Sequence, residues 1–367
     1  MKKYDIGILS LWNVPNYGTF AQEYALQKVL SEISKKECVQ IAHLDEVHYD
    51  FYYNFNKYLR MHGQILSKLY LKNLLFTNKK KQRLQLFSKA YDTIPHTDCI
   101  SRDNVGDYNF EKIIIGSDIL WDYSLEPFNK DPLLFGHGFQ GKIFSYAASF
   151  GTVKANDDIP SYVIDGINKM EMISVRDNNS ADIVKKITGE YPQIVLDPTY
   201  LWNFNEDNNV IDPVYNNYIL VYGQDFSNEY INNLVKFAKF KNKKIIALDC
   251  NNDQYSWCDV LIKQSELTPF EWFGYFKNAD YVATSTFHGV TFGLIFNKKI
   301  AFSKTDFIMA KFENFLRELN LISVFDDKND VEKMFTYEWD YENINKIIEL
   351  KKLQSLDYLK LVVGCDK

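Results

Sequence analysis

The chain has 367 residues, of which 46% are apolar and 25% charged, with a formal net charge of −6. That length exceeds one ordinary hydrophobic core, so two domains are expected. The composition is that of a soluble globular protein, no run approaches the ~18 apolar residues of a membrane span, and the acidic balance argues against nucleic acid as a partner. The five cysteines, Cys38, Cys99, Cys250, Cys258 and Cys365, are odd in number and never spaced as CxxC, which speaks against a disulfide framework or a zinc site and for a reducing cytoplasm.

In chain order, Tyr4 to Leu11 reads as a first strand rather than a secretion signal, because Asp5 interrupts the positive start and the apolar run is short. Asn13 to Thr19 reads as a polar turn and Phe20 to Ile33 as a helix with Ala21, Ala25, Leu26, Val29, Leu30 and Ile33 on one stripe. Val39 to Leu44 follows as a strand. Residues 49–90 carry aromatics and lysines without strand runs and read as a helical insertion, a solvated face in the first instance. Its cluster Lys79-Lys80-Lys81 with Arg83 leaves open a peripheral contact with an anionic membrane or a lipid-linked acceptor. Strands resume at Lys112 to Gly116, Lys142 to Ala147, Met172 to Arg176 and Gln193 to Asp197, with helices near Pro160 to Lys169 and after Asn179. Asn203 to Asn217, with six asparagines, two aspartates and Pro213, is the expected linker.

A second alternating series then runs from Tyr218 to Ser303, and Trp339 to Leu361 reads as a last helix able to pack back on the first domain. The expected fold is therefore α/β, two Rossmann-like domains with mostly parallel sheets: 1–207, 208–338, and a terminal helix in 339–367.

In parallel sheets ligands bind at the carboxyl ends of strands, and the candidate residues cluster there. Asn16, Tyr17, Gly18 and Thr19 form a turn whose amides could hold hydroxyls or an anion, or simply supply unusual dihedrals. Ser117 and Asp118 with Trp121 follow an apolar run, where Asp118 is either a functional carboxylate or the N-cap of a following helix. Ser149 lies in a run of small residues that would permit close approach of a ligand. Arg176 ends a strand and either offers a bidentate donor to a cleft or pairs with Asp177 or Asp197. His288, with Ser285, Thr286, Phe287 and Gly289, sits at a strand-to-helix junction and has the side chain best suited to proton transfer near neutrality. The group His43, Asp45, Glu46, His48 and Asp50 superficially resembles a metal cluster, but strand alternation would split it, so no metal is expected. Phosphate-loop, nucleophile-elbow and DxD patterns are not found.

As an ordered set, these motifs resemble the polysaccharide pyruvyl transferase family. The set comprises Ile6-Gly7-Ile8-Leu9, Asn16-Tyr17-Gly18-Thr19, Gln22-Glu23-Tyr24-Ala25-Leu26, Ile115-Gly116-Ser117-Asp118 with Trp121, Ser145 to Gly151, Ile173 to Asp177, Leu196-Asp197-Pro198-Thr199 and Thr286-Phe287-His288-Gly289. The resemblance implies a GT-B-like arrangement around a central cleft, with phosphoenolpyruvate as donor substrate, no further cofactor, and a cyclic pyruvate ketal formed on two hydroxyls of a sugar or lipid-linked oligosaccharide. It implies donor contacts by Arg176 and by Ser285 to Gly289, with His288 as general acid. Asp118 would accept a hydroxyl proton, and Asn16 to Thr19, Ser117, Trp121 and Ser149 would lie on the acceptor side. Thr286 departs from the family, where an arginine or serine often stands, so a second arginine clamp is missing. A nucleotide-sugar glycosyltransferase, or a non-catalytic sugar-binding protein of the same fold, remains the alternative.

Overall fold

The structure, a computed structural model, describes residues 1–61, 77–125, 130–250 and 253–364. Parts of the expected insertion (62–76) and of the terminal stretch, with Cys365, lie outside the described residues. The chain divides into two compact units: Met1–Lys80, Phe87–Trp202 and Lys351–Lys367 form the first, Lys81–Leu86 and Asn203–Leu350 the second. The division falls at Trp202, at the start of the asparagine-rich stretch and slightly before the expected 207.

The first unit is built on four parallel strands in the order β2-β1-β3-β4: β1 (Lys2–Leu9), β2 (Cys38–Gln40), β3 (Tyr108–Ile115) and β4 (Gln140–Ser145). Both faces of this sheet are covered toward the carboxyl ends of its central strands, where Ile6 to Leu9 and Ile113 to Ile115 run without a polar side chain. On one face Ile6, Ile8 and Ile114 pack against Leu26, Val29 and Leu30 of helix α1 (Tyr17–Ser34). On the other, Leu9, Ile113 and Ile115 pack with Trp121, Phe135 and Phe150.

Three helices occupy the described part of the insertion: α2 (Glu46–Tyr53), α3 (Phe55–Met61) and α4 (Thr77–Tyr91). Helices α5 (Ser161–Asn168) and α6 (Asn178–Thr188) follow, with a small parallel pair, β5 (Ser174–Val175) and β6 (Gln193–Ile194). The end of the last helix belongs to this unit: Tyr358 and Leu359 join its core, the Tyr358 hydroxyl donates to the Ser145 carbonyl at 2.8 Å, and the Ser355 hydroxyl accepts from Leu196 N–H at 3.0 Å.

The second unit holds five parallel strands in the order β11-β10-β7-β8-β9. These are β7 (Tyr218–Tyr222), β8 (Lys244–Cys250), β9 (Val260–Lys263), β10 (Tyr281–Thr284) and β11 (Lys299–Phe302). Its helices are α7 (Asn228–Phe240), α8 (Pro269–Asn278), α9 (Phe287–Ile295), α10 (Asp306–Glu318), α11 (Val331–Thr336) and the beginning of α12 (Tyr341–Val363). Thr268 and Glu271 start α8 with a reciprocal capping box, and Trp272, Phe273 and Phe276 pack against Phe292 of α9. Among the described residues no helix is long and apolar enough to cross a membrane.

Candidate active site

In the first unit the carboxyl ends of β1, β3 and β4 meet the start of α1. Asn16 is the N-cap of that helix: its side-chain oxygen accepts from Gly18 N–H at 2.9 Å and Thr19 N–H at 3.2 Å. The helix therefore begins at Tyr17, three residues before the expected start, and the expected polar turn is half helix. Asn16 is exposed, whereas Tyr17 is 1% exposed and packs on Phe87 with ring centroids 4.8 Å apart.

Among the buried residues of α1 stand Thr19, Gln22 and Glu23, three and four residues apart and so side by side. The Thr19 hydroxyl donates to Asp118 Oδ2 at 2.8 Å, and the Gln22 side-chain oxygen accepts both the Ser117 hydroxyl and, at 3.2 Å, the Arg176 guanidinium. Asp118 does not cap a helix. It sits in a turn with φ +77°, its Oδ1 accepting from the next N–H, Ile119, at 2.8 Å. Gly116 before it is held at φ +156° so close to Tyr146 that an added Cβ would lie 1.8 Å from the Tyr146 carbonyl oxygen, which only glycine tolerates.

Arg176 realises the ion-pair reading. Its side chain is 4% exposed, with Nη1 2.9 Å from Asp197 Oδ2 and Nη2 3.6 Å from Asp118 Oδ1. Asp197 is fixed in turn by the Thr199 hydroxyl at 2.7 Å and the Thr199 N–H at 3.1 Å. A guanidinium between two carboxylates, with one of them (Asp118) 16% exposed, is a fixed positive charge at the edge of a polar cluster.

Trp121 does not serve as a sugar-stacking platform. It is fully buried, its indole N–H donating to the Leu134 carbonyl at 3.1 Å and its ring stacked against Phe135, because the turn after Asp118 folds back into the core. Ser149 is also fully buried and donates to Asp177 Oδ2 at 2.7 Å; Asp177 caps α6 through Ser180 N–H. Both residues therefore support the site's backbone rather than meet a ligand. The acidic and histidine-rich stretch is likewise structural: His43 donates from Nδ1 to the Ile100 carbonyl at 2.8 Å and its Nε2 lies 2.9 Å from Asp131 Oδ2, while His48 meets Asp45 at 3.1 Å. No group of three or more metal-ligating side chains occurs among the described residues.

In the second unit, β10 ends at Thr284 and α9 begins at Phe287, with Thr286 as N-cap accepting from Gly289 N–H at 3.0 Å. Ser285 fastens this junction to the end of β7, its hydroxyl donating to the Gln224 carbonyl at 2.8 Å and accepting from Gln224 N–H at 2.9 Å. Gly289 must be glycine, since a Cβ there would lie 2.0 Å from the Thr284 hydroxyl. Phe287 is 9% exposed and packs on Phe312, so it anchors the helix. His288 is half-buried in the first turn of α9, its ring edge-on to Phe287. The junction thus combines a helix N-terminus, three hydroxyls and one imidazole, a set suited to an anionic, proton-accepting ligand.

The model of the family "Polysaccharide pyruvyl transferase" matches residues 16–302. The chain belongs to the polysaccharide pyruvyl transferase family. No curated protein matches it. Among solved structures it is similar to a UDP-GlcNAc 2-epimerase from Methanocaldococcus jannaschii, at 11% identity and TM-score 0.51, covering 95% of this chain and 99% of that one. It is also similar to the trehalose-6-phosphate synthase OtsA, at 10% identity and TM-score 0.50 with 99% of each chain covered. At such identities the likeness concerns fold alone, and that fold is of the GT-B type. This member of the pyruvyl transferase family is accordingly a transferase-family protein of polysaccharide modification.

Proposed function

We propose that the chain transfers the three-carbon unit of phosphoenolpyruvate to two hydroxyls of one sugar, in a polysaccharide or its lipid-linked precursor, as a cyclic ketal. Membership of the family supports the reading, and one structural observation carries it: the Asp118 carboxylate is oriented by the Thr19 hydroxyl and Ile119 N–H and stands 3.6 Å from a buried guanidinium. Such a carboxylate can accept a hydroxyl proton while the adjacent cation holds an anionic group of the donor.

In the balanced reaction both sugar oxygens bond to C2 of the enolpyruvyl group and the C2–O bond to phosphate breaks. The methylene carbon takes one proton and becomes the methyl group. The two hydroxyl protons thus end, net, on the methyl carbon and on the departing phosphate, and no oxidant or reductant is required. In this scheme His288 supplies the proton to carbon and Asp118 takes one from a hydroxyl. Arg176 binds the carboxylate or phosphate of the donor, assisted by the Ser285 to Gly289 junction. The acceptor is met by Asn16, Thr19 and Ser117 in the first unit. Neutral sugars then suffice as acceptors, without a nucleotide.

The test is phosphate release from phosphoenolpyruvate with a panel of sugar acceptors, beside thermal shifts with phosphoenolpyruvate and with nucleotide sugars. Stabilisation by phosphoenolpyruvate at millimolar concentration is expected by mass action. Stabilisation by nucleotide sugars alone would replace this reading with glycosyl transfer.

A further inference from the structure

Glu23 occupies the α1 position next to Gln22 and one turn beyond Thr19, both of which hold the Asp118 turn. It is 1% exposed. Its Oε1 accepts a long hydrogen bond from the Tyr91 hydroxyl, 3.4 Å away, which the phenol divides with the Val14 carbonyl at 3.3 Å. Its Oε2 is buried with no hydrogen-bond partner among the described residues. A buried carboxylate with so little solvation is very costly, whereas a carboxylic acid there costs only an unmade neutral bond.

We propose that Glu23 is a positioning residue of the first unit's site, the proton-holding member of a carboxyl pair in which Asp118 is the anion. Two interacting carboxyls in unlike surroundings titrate as a pair, and the proton stays on the less solvated one. Asp118 has a hydroxyl donor, an N–H donor, a guanidinium at 3.6 Å and 16% exposure. Glu23 has one long phenol bond. Burial pushes its carboxyl well above the usual carboxylate range, the Tyr91 hydroxyl pulls it back, and the charge of Asp118 raises it further.

The groups around Glu23 agree with this assignment. Thr19 and Gln22 on α1 are neutral, as are Gln40 of β2, whose amide donates to the Glu23 carbonyl at 3.2 Å, and Tyr53 of α2, which donates to the Asn13 carbonyl at 2.7 Å. Tyr91 of α4 stays a phenol because burial, and next the neighbouring Glu23, push its ionisation far up. The cation of the cluster, Arg176, is engaged by Asp118 and Asp197. A proton retained on Glu23 keeps a further anion, beside Asp118 and Asp197, from competing for that guanidinium, so Asp118 is left correctly placed to accept the hydroxyl proton. Only this catalytic consequence rests on the proposed function; the carboxyl pair itself does not.

The experiment is infrared spectroscopy of the full chain through a pH titration, without substrate. The protonated-carboxyl C=O band should be present at neutral pH, vanish in Glu23→Gln, and titrate away only on the alkaline side. In Asp118→Asn its midpoint should shift to lower pH, because an anion that raises it has gone; a merely structural Glu23 would show no such shift. A neutral-pH spectrum unchanged by Glu23→Gln, a midpoint unmoved by Asp118→Asn, or a Glu23→Gln chain that does not fold overturns the proposal, since the amide has the shape of the neutral acid. In phosphate release from phosphoenolpyruvate, the alkaline decline of the wild type should be reduced in Glu23→Gln. If the infrared pair stands and that decline is unchanged, Asp118 is not the proton acceptor and the functional scheme fails while the pair survives.

Discussion

Replacement of Arg176 by alanine tests whether the cation serves the fold, the donor, or both. In the wild type the guanidinium neutralises Asp197, whose side chain is 2% exposed, and faces Asp118. Removing it leaves Asp197 as a buried carboxylate without its guanidinium partner, and the Gln22 oxygen with one donor fewer. Breaking a buried pair by deleting one partner costs about 3–5 kcal/mol, so Arg176→Ala should lower the urea midpoint of the first unit markedly before any donor effect can be measured. Asp197→Asn in the same chain removes the orphaned charge, and the double variant should regain a large part of the loss, since contacting residues are not additive. Donor affinity is then read in the double variant, by the thermal shift that phosphoenolpyruvate produces. A loss below about 1 kcal/mol in Arg176→Ala, the range of a solvated surface pair, would refute the view that this ion pair supports the strand ends.

Other outcomes follow from the same geometry. His288→Gln, which can donate a hydrogen bond but not act as an acid, should lower turnover by about 10²-fold or more while phosphoenolpyruvate binding stays within a fewfold; near-normal turnover would leave His288 a binding residue only. Trp121→Ala should destabilise the first unit by about 3–5 kcal/mol through the cavity it leaves, and in chains that remain folded the acceptor KM should be unaffected. Burial pushes the Asp131 carboxyl up, but the His43 hydrogen bond and charge, the Leu133 N–H and Arg102 together hold it below the usual range. Its contribution to stability is therefore complete above the ordinary carboxylate pKa of about 3.9 and is lost as pH falls through the lower folded value; His43→Asn should move acid unfolding, followed by circular dichroism, to higher pH.

The alternation of apolar runs and helical stripes was legible because the buried ends of parallel strands, such as Ile6 to Leu9 and Ile113 to Ile115, are covered on both faces and so are apolar, and the division between the units falls at the start of the asparagine-rich stretch. The β9 strand was not legible: Val260–Lys263 lies at the sheet edge, alternates between partial burial and exposure, and its apolar run, Val260 to Ile262, is only three residues long. Helix α10 was missed for a related reason, its Phe312 and Leu316 being buried in a sequence dense with charge. Residues at strand ends were singled out by type, but their contacts depended on partners far along the chain. Arg176 meets Gln22 across 154 positions, and Trp121 turns inward to Leu134. Spacing along a strand says which residues reach its end and nothing about which of them the core then absorbs.

The sequence did hold one unused signal for the first unit's site. Residues 17 to 27 are buried without a break, yet Thr19, Gln22, Glu23 and Gln27 interrupt what would otherwise be an apolar helix wall. Polar side chains on a buried helix face require partners, and three of these four stand at the spacing that aligns them on one side. Thr19 and Gln22 find theirs in Asp118, Ser117 and Arg176; among the described residues Glu23 finds only a long phenol bond. A leucine at position 23 would cost the fold less than a carboxyl with an orphaned oxygen, so α1 gives up stability at the point where it adjoins the one partly exposed carboxylate of the cluster. Strain of this kind concentrates where a site needs it, and it identifies the Thr19, Gln22 and Glu23 face, rather than the capping turn before it, as the part of α1 that shapes the chemistry of Asp118.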